Sequence, residues 1–282
     1  MVDAHVHFWD PGALHYPWLD ELPSLRRAFL PHDYRAATGE VPISRIVFVE
    51  ANCRADETQR EVALVQRLAE DEPRIAGIVA FADLTAGLGA GDWGLERTLD
   101  VLSGSPRVKG IRQNIQGQPA GFCVQPAFVD GVREVGRRGL TFDLCATHDQ
   151  LGDVVQLVRL CPGTRFVLDH CGKPAIKEGR AERWRTDIAA LAVYENVACK
   201  VSGLLTQAAP EARSDEDLVP YAEWVTRCFG KQRVLYGSDW PVLTLAGSYC
   251  DWYRFTERFT ATWTAAERDR FYGGNAVGVY GL

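Results

Sequence analysis

Val2-Asp3-Ala4-His5-Val6-His7-Phe8-Trp9 opens the chain with a short strand-like run, and the residues at its end decide between two architectures. An open, doubly wound sheet usually carries a glycine-rich turn after its first strand. Here two imidazoles and two aromatic rings stand in that place. Seven further β-branched runs follow at regular intervals: Ile43–Glu50, Arg74–Asp83, Val108–Asn114, Leu140–Ala146, Thr164–His170, Val197–Gly203 and Arg233–Asp239. Most intervals between them carry one-faced apolar stripes of helical period, as in Asp56–Asp71, where Val62, Leu64, Val65, Leu68 and Ala69 recur. Similar segments are Pro126–Arg138, Gln150–Leu160, Arg180–Tyr194 and Asp215–Phe229, and Gly or Pro punctuates many of the joints. Eight strands alternating with helices in 282 residues predict an α/β fold, a (β/α)8 barrel spanning residues 1–282 as one domain. The longest connection, residues 9–42, is expected to be a loop over the barrel mouth.

Composition excludes several classes. The balance of 31 basic and 37 acidic residues gives a net charge of −6, and there is no basic block. Such a chain is ill suited to gripping nucleic acid or an anionic membrane. No apolar run approaches the ~20 residues that span a bilayer. The N-terminus lacks the basic start and apolar stretch of a signal peptide, so a cytoplasmic location is expected. The eight cysteines form no CxxC pair, and several lie in apolar runs, as expected for buried free thiols in a reducing compartment. Oligomeric state is open.

In a barrel of this kind the chemistry sits at the C-terminal ends of the strands. His5 and His7, two apart, share a strand face and can converge on one metal ion or substrate oxygen. Strand 6 ends in Asp169-His170-Cys171-Gly172 and strand 8 in Gly237-Ser238-Asp239-Trp240-Pro241. Three of the six histidines and an aspartate therefore fall at one end of the barrel. In strand 4, Arg112 shares a face with Gly110, which leaves room for a ligand, while Lys109 takes the other face. Arg112 reads either as a substrate-binding guanidinium or as an ion pair closing the barrel. Lys200 is a buried ion-pair partner or a site cation, and Glu50 a ligand, a hydrogen-bond acceptor or a solvated strand end. Trp9, Trp18 and Trp240 are expected near substrate. His148 begins the loop after strand 5, and His15 and His32 in the long loop have no assigned role. There is no Gly-x-Ser-x-Gly elbow or P-loop, and no glycine-rich turn follows the first strand, which argues against a serine esterase and against nucleotide cofactors. Cys171 adjoins His170 and is expected on the opposite face, which disfavours a thiol nucleophile.

Several blocks carry a family resemblance. They are Asp3-Ala4-His5-Val6-His7-Phe8-Trp9-Asp10-Pro11, Tyr16-Pro17-Trp18-Leu19, Val108-Lys109-Gly110-Ile111-Arg112, Leu168-Asp169-His170-Cys171-Gly172-Lys173-Pro174, Val201-Ser202-Gly203-Leu204, Tyr236-Gly237-Ser238-Asp239-Trp240-Pro241 and Gly273-Gly274-Asn275-Ala276. In this order the chain resembles the branch of the amidohydrolase superfamily that contains the sugar lactonases and pyrone-dicarboxylate lactonase. The resemblance implies Asp239 as general base, His5, His7 and His170 lining the site or binding a metal with Asp239, and Arg112 contacting substrate. It implies at most one divalent ion, such as Zn²⁺, because Lys109 is expected to turn away where dinuclear members place a carboxylated lysine. A metal-independent route stays open.

The expected reaction is hydrolysis of a sugar-acid lactone, with partial desolvation raising the Asp239 pKa toward a useful range. His5, His7 and His170, with Arg112 or one Zn²⁺, would polarise the carbonyl, each donor being worth ~3 kcal/mol. The alternatives are a metal-dependent decarboxylase of aromatic or unsaturated acids and a silent barrel that binds a sugar acid.

Overall fold

Eight short strands form one parallel sheet in chain order: β1 (Val2–Val6), β2 (Arg45–Val49), β3 (Ile75–Phe81), β4 (Val108–Arg112), β5 (Thr141–Leu144), β6 (Arg165–Leu168), β7 (Val197–Val201) and β8 (Val234–Tyr236). The structure, a computed structural model, describes residues 1–87, 94–211 and 213–282. The sheet closes on itself where Val6 bridges Trp240; the His7 N–H donates to the Trp240 carbonyl at 2.8 Å and the Asp239 N–H to the His5 carbonyl at 2.9 Å. This is the (β/α)8 barrel that the alternation predicts.

Around the barrel run α1 (Pro31–Thr38), α2 (Thr58–Asp71), α3 (Leu95–Ser103), α4 (Pro126–Arg137), α5 (Leu151–Leu160), α6 (Glu182–Ala192), α7 (Leu204–Gln207), α8 (Asp215–Phe229), α9 (Tyr249–Phe259), α10 (Ala265–Asp269) and α11 (Asn275–Tyr280). None is long and apolar enough to cross a membrane. All eight cysteines are free thiols. The 9–42 connection is more structured than a loop. It holds two 3-10 turns and α1, and it folds around Trp9, whose backbone pairs with Phe29 and whose indole N–H donates to the Leu25 and Arg27 carbonyls.

Every strand stops short of the stretch expected from sequence, by one to three residues at its C-terminal end for most. The chain leaves extended geometry there. Asn52, His170, Cys171, Lys173 and Asp239 all have positive φ, between 44° and 62°, a region costly for residues other than glycine and concentrated at functional sites. These five lie at the ends of β2, β6 and β8, on the mouth of the barrel. Behind β1, Asp3 ties the mouth to its surroundings by accepting from the Ser238 N–H, Tyr34 Oη and Tyr249 Oη, each at 2.9 Å.

The barrel interior has two storeys. Near the strand starts, Val2, Ala4, Val47, Val49, Val79, Val167, Ala198 and Leu235 pack with Ala276 and Tyr280 of α11 into a cluster separate from the core between sheet and helices. Above it the inward positions become His5, Arg112, Asp143, Asp169 and Lys200, all buried. Gly110 precedes Arg112 on that face, and a Cβ there would lie 2.2 Å from Thr141 Oγ1.

Candidate active site at the barrel mouth

The β1–β2 register shifts between Asp3 and Val6. The shift turns Ala4 into the aliphatic storey and still sends His5 and His7 inward. After β6, His170 is the first of two consecutive left-handed residues, and after β8 Asp239 is itself left-handed. Their ends converge. His5 Nε2 and His7 Nε2 are 3.1 Å apart, and Asp239 Oδ1 lies 3.4 Å from His7 Nε2, 3.7 Å from His5 Nε2 and 3.9 Å from His170 Nε2. Four groups predicted from sequence thus meet around Asp239 Oδ1, with His5, His7 and Asp239 close enough to hold one ion together and His5, Asp169 and His170 forming a second such triad.

Each imidazole is anchored through its other nitrogen. His7 Nδ1 donates to the Val49 carbonyl at 2.7 Å, which leaves Nε2 as a lone pair in the neutral ring. His170 Nδ1 is 2.9 Å from Ser202 Oγ, and His5 Nδ1 is 3.2 Å from both Asp169 Oδ1 and Lys200 Nζ. Such outer contacts orient histidines that hold metals. A 3.1 Å approach of two Nε2 atoms requires a proton or a metal ion between the lone pairs.

Beneath the cluster lies an ionic layer. Lys200 Nζ contacts Asp143 Oδ2 at 2.6 Å and Asp169 Oδ1 at 2.9 Å, and Tyr280 Oη donates to Asp143 Oδ2 at 2.7 Å. Arg112 donates from Nε to Glu50 Oε1 at 2.6 Å, to the Glu50 carbonyl at 2.7 Å, and to Asp169 Oδ2 at 3.2 Å. Formally, Lys200 and Arg112 pair with the carboxylates of Glu50, Asp143 and Asp169, one negative charge in excess, and Asp239 beside the imidazoles makes the excess two. A divalent cation in the cluster would balance that excess. Three imidazole nitrogens and one carboxylate oxygen also make a donor set that suits zinc.

Burial disfavours charged imidazole, holding His5 well below its usual range and bringing His170 down to about 4. Burial alone would raise Asp239, but the surrounding imidazoles, His170 foremost, outweigh it and hold the carboxyl well below the usual range. The upward shift expected for the base is therefore corrected. Burial would likewise lower Lys200, yet Asp143 and Asp169 keep its pKa above the ordinary value.

A cavity of about 340 Å³ opens over the cluster, with His7, His170, Asp239, Arg112 and Trp18 on its wall. A wider groove of about 620 Å³ lies at the other end of the barrel, around Met1 and Arg45, far from these groups. Four residues expected to touch substrate lie elsewhere. Trp9 is enclosed in the 9–42 segment behind Trp18, and Trp240 is packed against Phe8, Phe29 and Tyr34. Glu50 is spent on Arg112 and the Asn52 N–H, and Lys200 lies under His5. His5 is fully buried and reaches the cluster only through Nε2. Arg112 is paired from behind with Glu50 and Asp169 and also lies on the cavity wall. Lys109 sits by Gly77 and Leu282, nearer the strand starts. Cys171 is buried with its thiol toward the Lys200 carbonyl. Sequence reasoning missed Asp143, Asp169, Ser202 and Tyr280 as supports. Alternation along β5 to β7 carried a signal for the first three; nothing local marked Tyr280.

Across residues 2–282 the chain matches the family model described as amidohydrolase. It is 32% identical over 297 residues to an L-fucono-1,5-lactonase from Burkholderia multivorans, covering 100% of this chain and 96% of that protein. A second L-fucono-1,5-lactonase, from Burkholderia ambifaria, is 30% identical over 288 residues, covering 99% of this chain and 94% of the relative. Among solved structures, an amidohydrolase from Burkholderia multivorans with bound zinc superimposes with a TM-score of 0.88 at 30% identity, covering 100% of this chain and 99% of that one.

Proposed function

The chain belongs to the amidohydrolase family, and from that premise we propose that it opens the ring ester of a sugar-acid lactone of the L-fucono or L-rhamnono type. Hydrolysis of an ester bond is supported by the lactonases it resembles end to end. The observation that carries the reading is the convergence of three imidazole Nε2 atoms on Asp239 Oδ1 beneath a cavity of about 340 Å³.

A lactone carbonyl is already electrophilic, so the site must place a water, accept its proton and stabilise the oxyanion. Asp239, ionised throughout the neutral range, accepts the proton as water adds to the carbonyl carbon. It returns that proton to the ring oxygen as the C–O bond breaks, so one carboxyl group serves both halves of the reaction. His7 is fixed as a lone-pair acceptor by Val49 and in its neutral form cannot donate to an oxyanion. That task falls to the N–H groups of Arg112 not already spent on Glu50 and Asp169, and to any cation the cluster holds. His5 Nε2, His7 Nε2, His170 Nε2 and Asp239 Oδ1 would hold one divalent ion, which supplies Lewis acidity toward the carbonyl oxygen when bound. Trp18, on the cavity wall with its indole N–H on the Ala51 carbonyl, offers an aromatic face to the sugar ring.

Proton release from a panel of aldonolactones, with chelator-treated and zinc-reconstituted protein side by side, tests the reading. Turnover on hydroxylated lactones supports it. Turnover lost with chelator and regained with zinc makes the four groups a metal site, and turnover indifferent to chelator leaves Asp239 and Arg112 as the working groups. Silence in both states, with carbon dioxide release from aromatic acids, would replace it with decarboxylation.

A further inference from the structure

Four polar side chains on the cavity wall belong neither to the cluster nor to its supports: Asn52, Asn114, Gln116 and Lys173. They form two pairs. Asn114 Nδ2 donates to Asn52 Oδ1 at 2.9 Å, and Lys173 Nζ donates to Gln116 Oε1. Both pairs are held from behind. Asn52 sits at φ 52° with its N–H on Glu50 Oε2 at 2.7 Å, and Lys173, at φ 44°, ends the turn that delivers His170. The Gln116 N–H is tied to the Cys145 carbonyl at 2.9 Å. An ammonium only donates, so its bond to Gln116 fixes the amide with oxygen toward Lys173 and the NH₂ group left over. The enclosed Oδ1 of Asn114 has no donor among the described residues.

The charges on this wall are as restrictive as the hydrogen bonds. Arg112 is matched by the carboxylates of Glu50 and Asp169, and Lys173 is bonded to an amide. On this wall a substrate with two carboxylates would meet one cation not already matched by a carboxylate, among the described residues. Hydroxyl groups both donate and accept, and they suit a wall of carboxamides without adding charge.

We propose that Asn52, Asn114, Gln116 and Lys173 form the subsite that reads the ring hydroxyls of an uncharged, polyhydroxylated lactone and turns away dicarboxylated ones. The inference rests on the lactonase reading of the same site and adds the residues that select the substrate.

The experiment compares kcat/KM for L-fucono-1,5-lactone, for δ-valerolactone, which lacks the hydroxyls, and for 2-pyrone-4,6-dicarboxylate. Asn114→Ala, Gln116→Ala and Asn52→Gly are the variants, the last chosen because glycine keeps the left-handed backbone, and circular dichroism checks that each folds. The hydroxylated-to-unsubstituted ratio should fall about tenfold for each lost hydrogen bond, with no turnover of the dicarboxylate by the native chain. A ratio unmoved in all three variants, or a dicarboxylate turned over as well as the hydroxylated lactone, overturns the proposal. Silence toward every lactone would instead defeat the lactonase reading. Calorimetric binding of L-fucose, an uncharged pyranose with the same kind of hydroxyls, then decides: weaker binding in the variants upholds hydroxyl recognition, and equal binding overturns it.

Discussion

Val167 and Asp169 lie two residues apart near the end of β6, buried on the same inward face, yet they belong to different materials. Val167 joins a plug of small aliphatic side chains, whose fit depends on volume alone. Asp169 joins a layer in which each carboxylate contacts a cation, a hydroxyl, an imidazole or a backbone N–H. The lower storey stabilises the barrel by removing apolar surface from water. The upper storey gains little net stability from its ion pairs, because desolvation offsets attraction, but it fixes where His5 and Arg112 stand. The two storeys should therefore fail differently when a residue is removed.

The largest effect falls on the group at the top of the upper storey. Asp239→Asn keeps the shape of the side chain and removes the base, so kcat/KM on the lactone should drop about 10²–10⁴-fold while the unfolding midpoint moves little. Proton-release assays beside a thermal melt check this, and retained turnover would remove Asp239 from the reaction.

Next comes Lys200→Met. It leaves Asp143 buried without a cation and Asp169 with Arg112 alone, and should cost about 3–5 kcal/mol in urea unfolding. Adding Asp143→Asn should restore part of the loss, since the second change removes a stranded charge. A single-variant cost below about 1 kcal/mol would mean that the layer is wet or already protonated. Val167→Ala, two residues below Asp169, should cost about 2 kcal/mol for two lost methyl groups and their cavity. Its cost should be the same at every pH, and its kcat within about twofold of the native chain. A pH-dependent cost there would erase the distinction between storeys.

This division marks where the sequence was readable. The spacing of β-branched runs and the run of His5 and His7 after the first strand were enough for the barrel, because period and chain order are local properties. His170 and Asp239 were legible because both end strands, and the end of a barrel strand has a known address. Depth along a strand was not legible. Lys200 and Ser202 share a face, but only the structure shows that one lies under His5 and the other beside His170. Trp9 and Trp240 looked like a sugar platform, and the folding of residues 9–42 encloses both while leaving Trp18 on the wall. Tyr280 reaches Asp143 across 137 residues of sequence, a contact no local pattern contains.

A last test asks whether the ionic storey extends through the barrel wall. Glu61 of α2 is buried behind Glu50, accepts the Ala51 N–H at 3.1 Å through Oε1, and has no partner for Oε2 among the described residues. Burial, then repulsion from Glu50, pushes its pKa up from 4.5 to about 8. A carboxyl whose folded pKa exceeds its unfolded value favours the native state fully below the unfolded value and loses that advantage as pH rises toward the folded one. Between about pH 4.5 and 8 the native chain should thus lose stability relative to Glu61→Gln, at up to about 1.4 kcal/mol per pH unit. Glutamine keeps an acceptor for Ala51 and cannot ionise, so the gap between the two unfolding curves should widen in favour of the variant and level off above pH 8. Urea titrations at four pH values measure it. A gap that stays flat would show Glu61 ionised in the folded protein at neutral pH and confine the charged storey to the barrel interior.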